Sequence, residues 1–458
     1  MLSQTSAEKI IDLALEAGDF AEVFCEYNAQ SLITANTEKV ETSSMGVEAG
    51  IGVRIFRGLD EAYVYSNGHS EEKILKLLKD TMAGIKNGKA LEIPFKPSDY
   101  SKVQQIDKLP VDVDYKRKLE KVNRALWPGK AAYDEIGQVF VRYLDTCQDV
   151  IVANSEGVYA EDRRVKTRMM IIAYAQADGK LASGWQGPGA MKGFEFYDTL
   201  DIESYAREAA RIAVTMLHAA KCRGGNMPVV VANGFGGLIF HEACGHSLEA
   251  SSVANGTSEF SGKLGQMIAS PLLTLIDDGS IKNAWGSLSV DDEGTPTRKN
   301  VLIEKGILKS YMVDRLNGKR MGMPATGSAR RQSYRFAPTS RMTNTYIDAG
   351  DKQPGDIIAA TERGLFVRYI NGGSVNSATG DFNFASSESY MIKDGKIDIP
   401  VSGATLIGNG GQVLRNVDMI GNNPEIGEGY CYASSGALFI GAGQPAIRIS
   451  EMTVGGVE

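Results

Sequence analysis

Four histidines occur in the chain, and two of them bracket a glutamate in His241-Glu242-Ala243-Cys244-Gly245-His246. Imidazole is a natural ligand for Zn²⁺, and a catalytic zinc keeps one position open for water. The metal lowers that water's pKa toward about 7 and so supplies a nucleophile near neutrality. Glu242 would accept the water's proton and pass it to a leaving amine, which is the chemistry of peptide hydrolysis. In the commoner HExxH arrangement the two His lie one helical turn apart and share a face. Here they are five apart, and five residues rotate a side chain by roughly 140° on a regular α-helix. One extra residue in a π turn restores a common face, and such turns favour functional sites. Gly245, just before His246, is expected to relax the backbone there.

Two imidazoles leave a third protein ligand to be found. The chain offers Cys244, Glu249, Cys431 and more distant Asp or Glu side chains. Cys244 sits between the two His, where joint coordination from one helix is awkward. Glu249, three residues past His246, suits a ligand or a partner that orients one. Cys431 ends the run Gly427-Glu428-Gly429-Tyr430-Cys431, whose Gly residues permit close backbone approach. A metal would stabilise its thiolate, although a buried Cys is commonly just a small hydrophobe. His69, next to Gly68, and His218, on a helix, read as surface or packing residues. The acidic turn Asp291-Asp292-Glu293-Gly294 reads as solvated or as a cap on local backbone, with cation binding the rarer use. Gly408 to Gly411 lack a P-loop Lys, and no Gly-x-Ser-x-Gly elbow occurs, so neither nucleotide binding nor serine hydrolysis is indicated.

The elements that must position these residues read as α+β, in two domains rich in antiparallel sheet. A chain of 458 residues exceeds the size at which single cores stop growing. Charged residues make up 23% and the formal net charge is −7, without a block of Lys or Arg. That excludes the electrostatic footprint of a nucleic-acid binder. No eighteen apolar residues run together and the first residues do not read as a signal peptide, so neither a membrane span nor export is expected. The five cysteines are scattered without a CxxC pair, which fits a reducing, cytoplasmic setting.

Helical periodicity predicts helices over 6–17, from Ser70 to about Ile85, and over 112–126 and 202–220. A Pro- and Lys-rich loop covers roughly 92–110. The run Ile33-Thr34-Ala35-Asn36-Thr37-Glu38 is echoed by Ile151-Val152-Ala153-Asn154-Ser155-Glu156, which suggests an internal duplication in the N-terminal half. A Gly-rich break at Lys221 to Asn226 places the boundary between domains 1–224 and 225–458. In the second, a strand at 227–231 precedes a helix from Leu238 to about Val253 that carries the His-Glu motif. Beyond residue 285 the text is mostly hairpins, clearest at 301–312 and 390–401.

At these residues the chain resembles the TldD/PmbA family, and specifically its metal-binding TldD branch. The resemblance is carried by HEACGHSLEA (241–250), GTSEFSGKLGQMIAS (256–270), SVDDEGTPTRKNVLIEKGILKSYMVDRLN (289–317), RMTNTYI (341–347), GATLIGNG (403–410) and GQPAIRISEMTVGG (443–456), with VEAGIGVRIFRG (47–58) in the looser N-terminal half. It implies a zinc peptidase that cleaves unfolded or flexible peptides, with His241, His246 and Cys431 as ligands and Glu242 as general base. It also implies two α+β domains and an active site enclosed within a dimer, either of one chain or with a TldE/PmbA-like paralogue that lacks the motif. Links of the family to DNA gyrase and to an antitoxin leave a non-catalytic, protein-binding regulator as the alternative. Family members carry a Gly-Lys run after the Cys, whereas this chain reads Tyr432-Ala433-Ser434-Ser435, which sets its substrate-facing loop apart.

Overall fold

A computed structural model describes residues 1–82, 95–97, 99–376 and 379–456. The first helix, Gln4–Leu15, starts where the Ser3 hydroxyl accepts the Ser6 N–H and buries Ala7, Ile10, Ile11, Ala14 and Leu15. It packs on an antiparallel sheet of long strands, ordered Asp60–Asn67, Val40–Arg57, Phe20–Asn36, Ile136–Asn154, Val158–Ala177. The two echoing segments both form Asn-centred turns, the second one residue longer. Asn36 Oδ1 accepts from the backbone N–H of Glu38 and Lys39, and Asn154 Oδ1 from those of Glu156 and Val158. Each turn ends a strand of one continuous ladder, in which Glu22 opposes Asn154 and Asn36 opposes Phe140.

Helices Tyr115–Lys130 and Ile202–Leu217 cover part of one face. They bury Val122, Leu126, Ala206 and Ala213 against Val139, Val141 and Ile171. The first of these begins later than its periodicity predicts, because Asp114 caps it by accepting the Lys116 N–H. The second ends three residues short of Ala220, and Ala220–Lys221 instead pairs with strand Lys396–Ser402. The helix expected from Ser70 is present as Glu71–Met82. The rest of its expected span, and the start of the Pro- and Lys-rich loop, fall outside the described residues.

The remaining chain builds two further sheets. One orders its strands Arg363–Val375, Gly225–Val231, Ile447–Gly455, Thr405–Asn409, Asp381–Lys393, Lys396–Ser402. The other runs Ile307–Leu308, Lys299–Glu304, Leu275–Asp278, Asn344–Ile347, Gly436–Gln444, Glu425–Ala433. Both expected hairpins are present, and most pairings are antiparallel, so the architecture is α+β. The motif segment lies between these two sheets. Phe240, Ala243, Cys244 and Leu248 share one core with Leu365, Val367 and Phe384 of the first sheet and with Leu275, Ile303 and Leu308 of the second. Each such fully buried aliphatic side chain contributes about 1.5–3 kcal/mol.

The two halves meet through buried charge. Arg54 pairs with Glu293, Arg164 with Asp292 and Arg331 with Glu22, every one of these side chains 4% exposed or less. The acidic turn is therefore not solvated. Asp291 does cap local backbone, accepting from the N–H groups of Glu293, Thr295 and Ala329, while its two neighbours answer arginines of the N-terminal sheet. Removing one member of such a pair leaves an uncompensated buried charge. Among the described residues no helix is long and apolar enough to cross a membrane.

Candidate metal centre

The motif is not carried by one regular helix. A 3₁₀ turn at Phe235–Gly237 leads into a single α turn, Leu238–Phe240. His241–Gly245 then form a π turn, closed by the His246 N–H donating to the His241 carbonyl five residues back. A further 3₁₀ turn, His246–Leu248, ends at Glu249, whose ψ of 130° breaks the helix before Ala250–Val253. The extra residue in the π turn brings the two imidazoles to one side. Their ring centroids lie 5.3 Å apart with planes 86° to each other.

Gly245 acts differently from its expected role. Its backbone is ordinary right-handed helix (φ −54°, ψ −51°), so no special freedom is needed. A Cβ at this position would come within 2.2 Å of Met342 Sδ. Gly245 is there because the turn packs directly on the segment that follows Arg341.

Cys431 reaches the same place from the edge strand Glu425–Ala433. Alternate residues of a strand share a face, and a Cβ at Gly427 would come within 2.8 Å of Phe235 Cβ, and one at Gly429 within 3.0 Å of its Cε2. The Gly-x-Gly-x-Cys pattern thus lets Phe235, at the start of the motif segment, lie flat on the strand. Cys431 follows on that face, and its Sγ lies 3.2 Å from His246 Nε2. Ligand-type atoms of His241, His246 and Cys431 all fall within 4.8 Å of one another. Of the other candidates, Cys244 faces the core, where burial pushes its thiol up. His69 bonds the Glu26 carbonyl and His218 pairs with Glu135, both away from the cluster.

The surroundings of the three donors have the character of a metal site. Among the described residues neither ring nitrogen of His241 has a hydrogen-bond partner, a costly state for buried polar atoms, and a bound metal would satisfy one of the two. Burial, with the charges of His246, Arg341 and Arg330 adding to it, holds His241 well below the usual range and keeps the ring neutral, as a ligand must be. His246 is drawn the other way: burial opposes its charge, but Glu249 and the Cys431 contact outweigh that and raise it well above the usual range. Glu249 Oε1 stands 3.2 Å from His246 Nδ1, which leaves Nε2 facing Cys431. Glu242 is partly accessible, its Oε2 3.6 Å from His246 Nε2, and burial raises its carboxyl.

Arg341 was not singled out in the sequence. It is 1% exposed, its Nε lies 3.7 Å from Glu249 Oε1, and its Nη1 donates to Ser435 Oγ at 3.0 Å. It thereby ties the turn after the Cys431 strand to the carboxylate behind His246. Nothing in RMTNTYI marks that role, because it depends on contacts with residues about ninety positions away on either side.

Two His and a Cys converging beside a free carboxylate are the constellation of a metal-dependent hydrolase. Comparison with known proteins reaches the same class. Models of the PmbA/TldA metallopeptidase domain 1, central domain and C-terminal domain match residues 21–85, 108–217 and 224–456. The chain is 34% identical over 453 residues to a metalloprotease TldD homolog of Haemophilus influenzae, covering 96% of this chain and 93% of that one. It is 27% identical over 459 residues to a zinc metalloprotease TldD homolog of Saccharolobus solfataricus, covering 98% and 99%. In fold it is similar to TldE from Thermococcus kodakarensis, with a TM-score of 0.80 at 17% identity over 98% and 99% of the two chains. The chain belongs to the PmbA/TldD metallopeptidase family and is a peptidase.

Proposed function

We propose that this protein is a zinc peptidase in which His241, His246 and Cys431 hold the metal and Glu242 is the general base. The observation that carries this is the convergence of the three donors around a His241 ring with no other partner. Two imidazoles and a thiolate suit Zn²⁺ better than harder ions. When bound, zinc supplies Lewis acidity and a water nucleophile near neutral pH. Glu242, raised by burial, takes the proton of the attacking water and returns it to the leaving amine. Glu249 and Arg341 orient His246 and so hold the donor set in place.

The substrate is an unfolded or extended peptide that lies along the Cys431 strand. Among the described residues that strand ends its sheet, pairing only with Gly436–Gln444. Its outer edge is held early on, where Arg168 Nη2 donates to the Glu428 carbonyl. From Tyr430 to Ala433 the outer edge has no backbone partner among the described residues. An incoming peptide can pair there and pass the reacting groups as an added strand. The working unit is a dimer, either of this chain or with a TldE/PmbA-like paralogue, in the cytoplasm. The near full-length likeness to a TldE fold and five unpaired cysteines support that setting.

The test combines metal content with cleavage of an unfolded polypeptide. Wild type is expected to hold one zinc per chain. Glu242→Gln should keep that zinc and lose roughly 10²–10⁴-fold in turnover. Equal cleavage by both proteins would remove Glu242 from the mechanism, and full zinc retention by Cys431→Ala would place the third ligand elsewhere. Assays with and without a purified paralogue settle the partner.

A further inference from the structure

A second, separate cavity of about 60 Å³ lies where the N-terminal sheet meets strand Gly436–Gln444. Four cationic side chains line it, Arg164, Lys166, Arg330 and Arg331, against one carboxylate, Asp292. Most of this charge is already matched. Arg164 reaches Asp162 and, at 2.7 Å, Asp292, while Arg331 pairs with Glu22. Asp292 is used up, accepting from Arg164 through Oδ1 and from the Arg331 N–H through Oδ2.

Two cations remain without a carboxylate. Among the described residues Arg330 donates only to the carbonyls of Met342 and Phe439. Lys166 is 3% exposed, its ammonium 4.9 Å from the centre of the Phe439 ring, with no hydrogen bond or ion pair among the described residues. A buried ammonium with no carboxylate in contact is expensive. Burial, reinforced by Arg330 and Arg164 and opposed by the more distant Asp162 and Asp292, pushes Lys166 well down, and burial outweighs Asp292 to push Arg330 down to about 10. The space beside them holds more than one water, each of which needs about 10–15 Å³.

We propose that this chamber binds a small monovalent anion, a halide or a carboxylate of formate size, between the Lys166 ammonium and the Arg330 guanidinium. Such an ion supplies the missing charge and fits with its remaining waters. A solute fits better than a substrate carboxylate. Ala437, Leu438 and Phe439, on the strand that pairs with the Cys431 strand, line the chamber, and no residue of the Cys431 strand itself does. None of His241, His246 and Cys431 lines the chamber, although the Arg330 charge reaches His241, and the anion site does not depend on their assignment as ligands.

Bromide is the probe. Crystals of the metal-loaded enzyme soaked in bromide should show an anomalous peak in ion-pair contact with Lys166 Nζ. Lys166→Met should lose that peak and keep any bromide at the metal. In solution, exchanging gluconate for bromide at constant ionic strength should raise the Tm saturably in wild type and not in Lys166→Met. Should the variant fail to fold, the wild-type peak and saturation decide the matter alone. Formate that displaces bromide makes the site one for small monoanions in general, and bromide retained against formate makes it halide-selective. A chamber with no anomalous peak, as a neutral Lys166 surrounded by water would give, overturns the proposal. So does an equal bromide response in the variant.

Discussion

Removing the Glu249 carboxylate should weaken metal binding without touching a metal donor. Glu249 Oε1 lies 3.2 Å from His246 Nδ1 and 3.7 Å from Arg341 Nε, all three side chains being buried or nearly so. The carboxylate does two things: it fixes the ring so that Nε2 faces Cys431, and its charge strengthens the imidazole as a donor. Loss of such a partner costs about 10–100-fold in metal affinity, or roughly 1.4–2.7 kcal/mol. Glu249→Gln keeps an acceptor for Nδ1–H and loses only the charge, so it should fall near the low end. Glu249→Ala loses both and should approach the high end. The assay is zinc competition against a chelating dye, with circular dichroism to show that each variant is folded. A folded Glu249→Ala that binds zinc as tightly as wild type would refute the orienting role and the reading of His246 that rests on it.

Other outcomes follow from the packing between the halves. Glu26 accepts from Gln148 Nε2 and from the Tyr334 N–H, and burial raises its carboxyl to about 7. A raised carboxyl stabilises the fold below its unfolded value near 4.5 and loses that contribution as pH climbs through 7. Glu26→Gln, with Gln148 flipped to accept, should therefore gain on wild type between pH 5 and 8 by on the order of 3 kcal/mol at most, read as a widening Tm difference. A Cβ at Gly50 would come within 2.2 Å of the Tyr334 ring. Gly50→Ala should cost about 1–3 kcal/mol, and a Tyr334→Ala background should erase that penalty in a double-mutant cycle of denaturation midpoints. Arg331→Met strands the fully buried Glu22 and should cost about 3–5 kcal/mol, with most of it recovered by adding Glu22→Gln.

Much of the N-terminal half was legible because its signals are local. Periodic apolar residues marked the helices, and the repeated Ala-Asn-x-Glu marked two Asn-centred turns, since an Asn side chain accepting the next N–H groups needs no distant partner. Helix ends were misjudged by a few residues where a cap such as Asp114 decided them. The acidic turn caps local backbone, as one of its two sequence readings has it, but it is not solvated. Three adjacent acids look solvated in text, yet arginines from strands more than a hundred residues earlier neutralise two of them in the interior.

The same division runs through the metal centre. His241, Glu242 and His246 announce their chemistry by type and spacing, and a five-residue step is compatible with a shared face only through a π turn, which is a constraint of helix geometry alone. Residue chemistry left Cys431 as one of several third donors, and the family resemblance singled it out. What only the tertiary structure decided is how it gets there: Phe235 lies on Gly427 and Gly429, which seats the edge strand so that Sγ reaches His246. Only the structure showed that Gly245 makes room for Met342, and that Arg341 and Glu249 hold His246 from behind. The physical reason is one of range. Backbone geometry acts over a few residues and can be read along the chain, whereas contact and burial act across space between segments whose separation in sequence carries no record of their meeting.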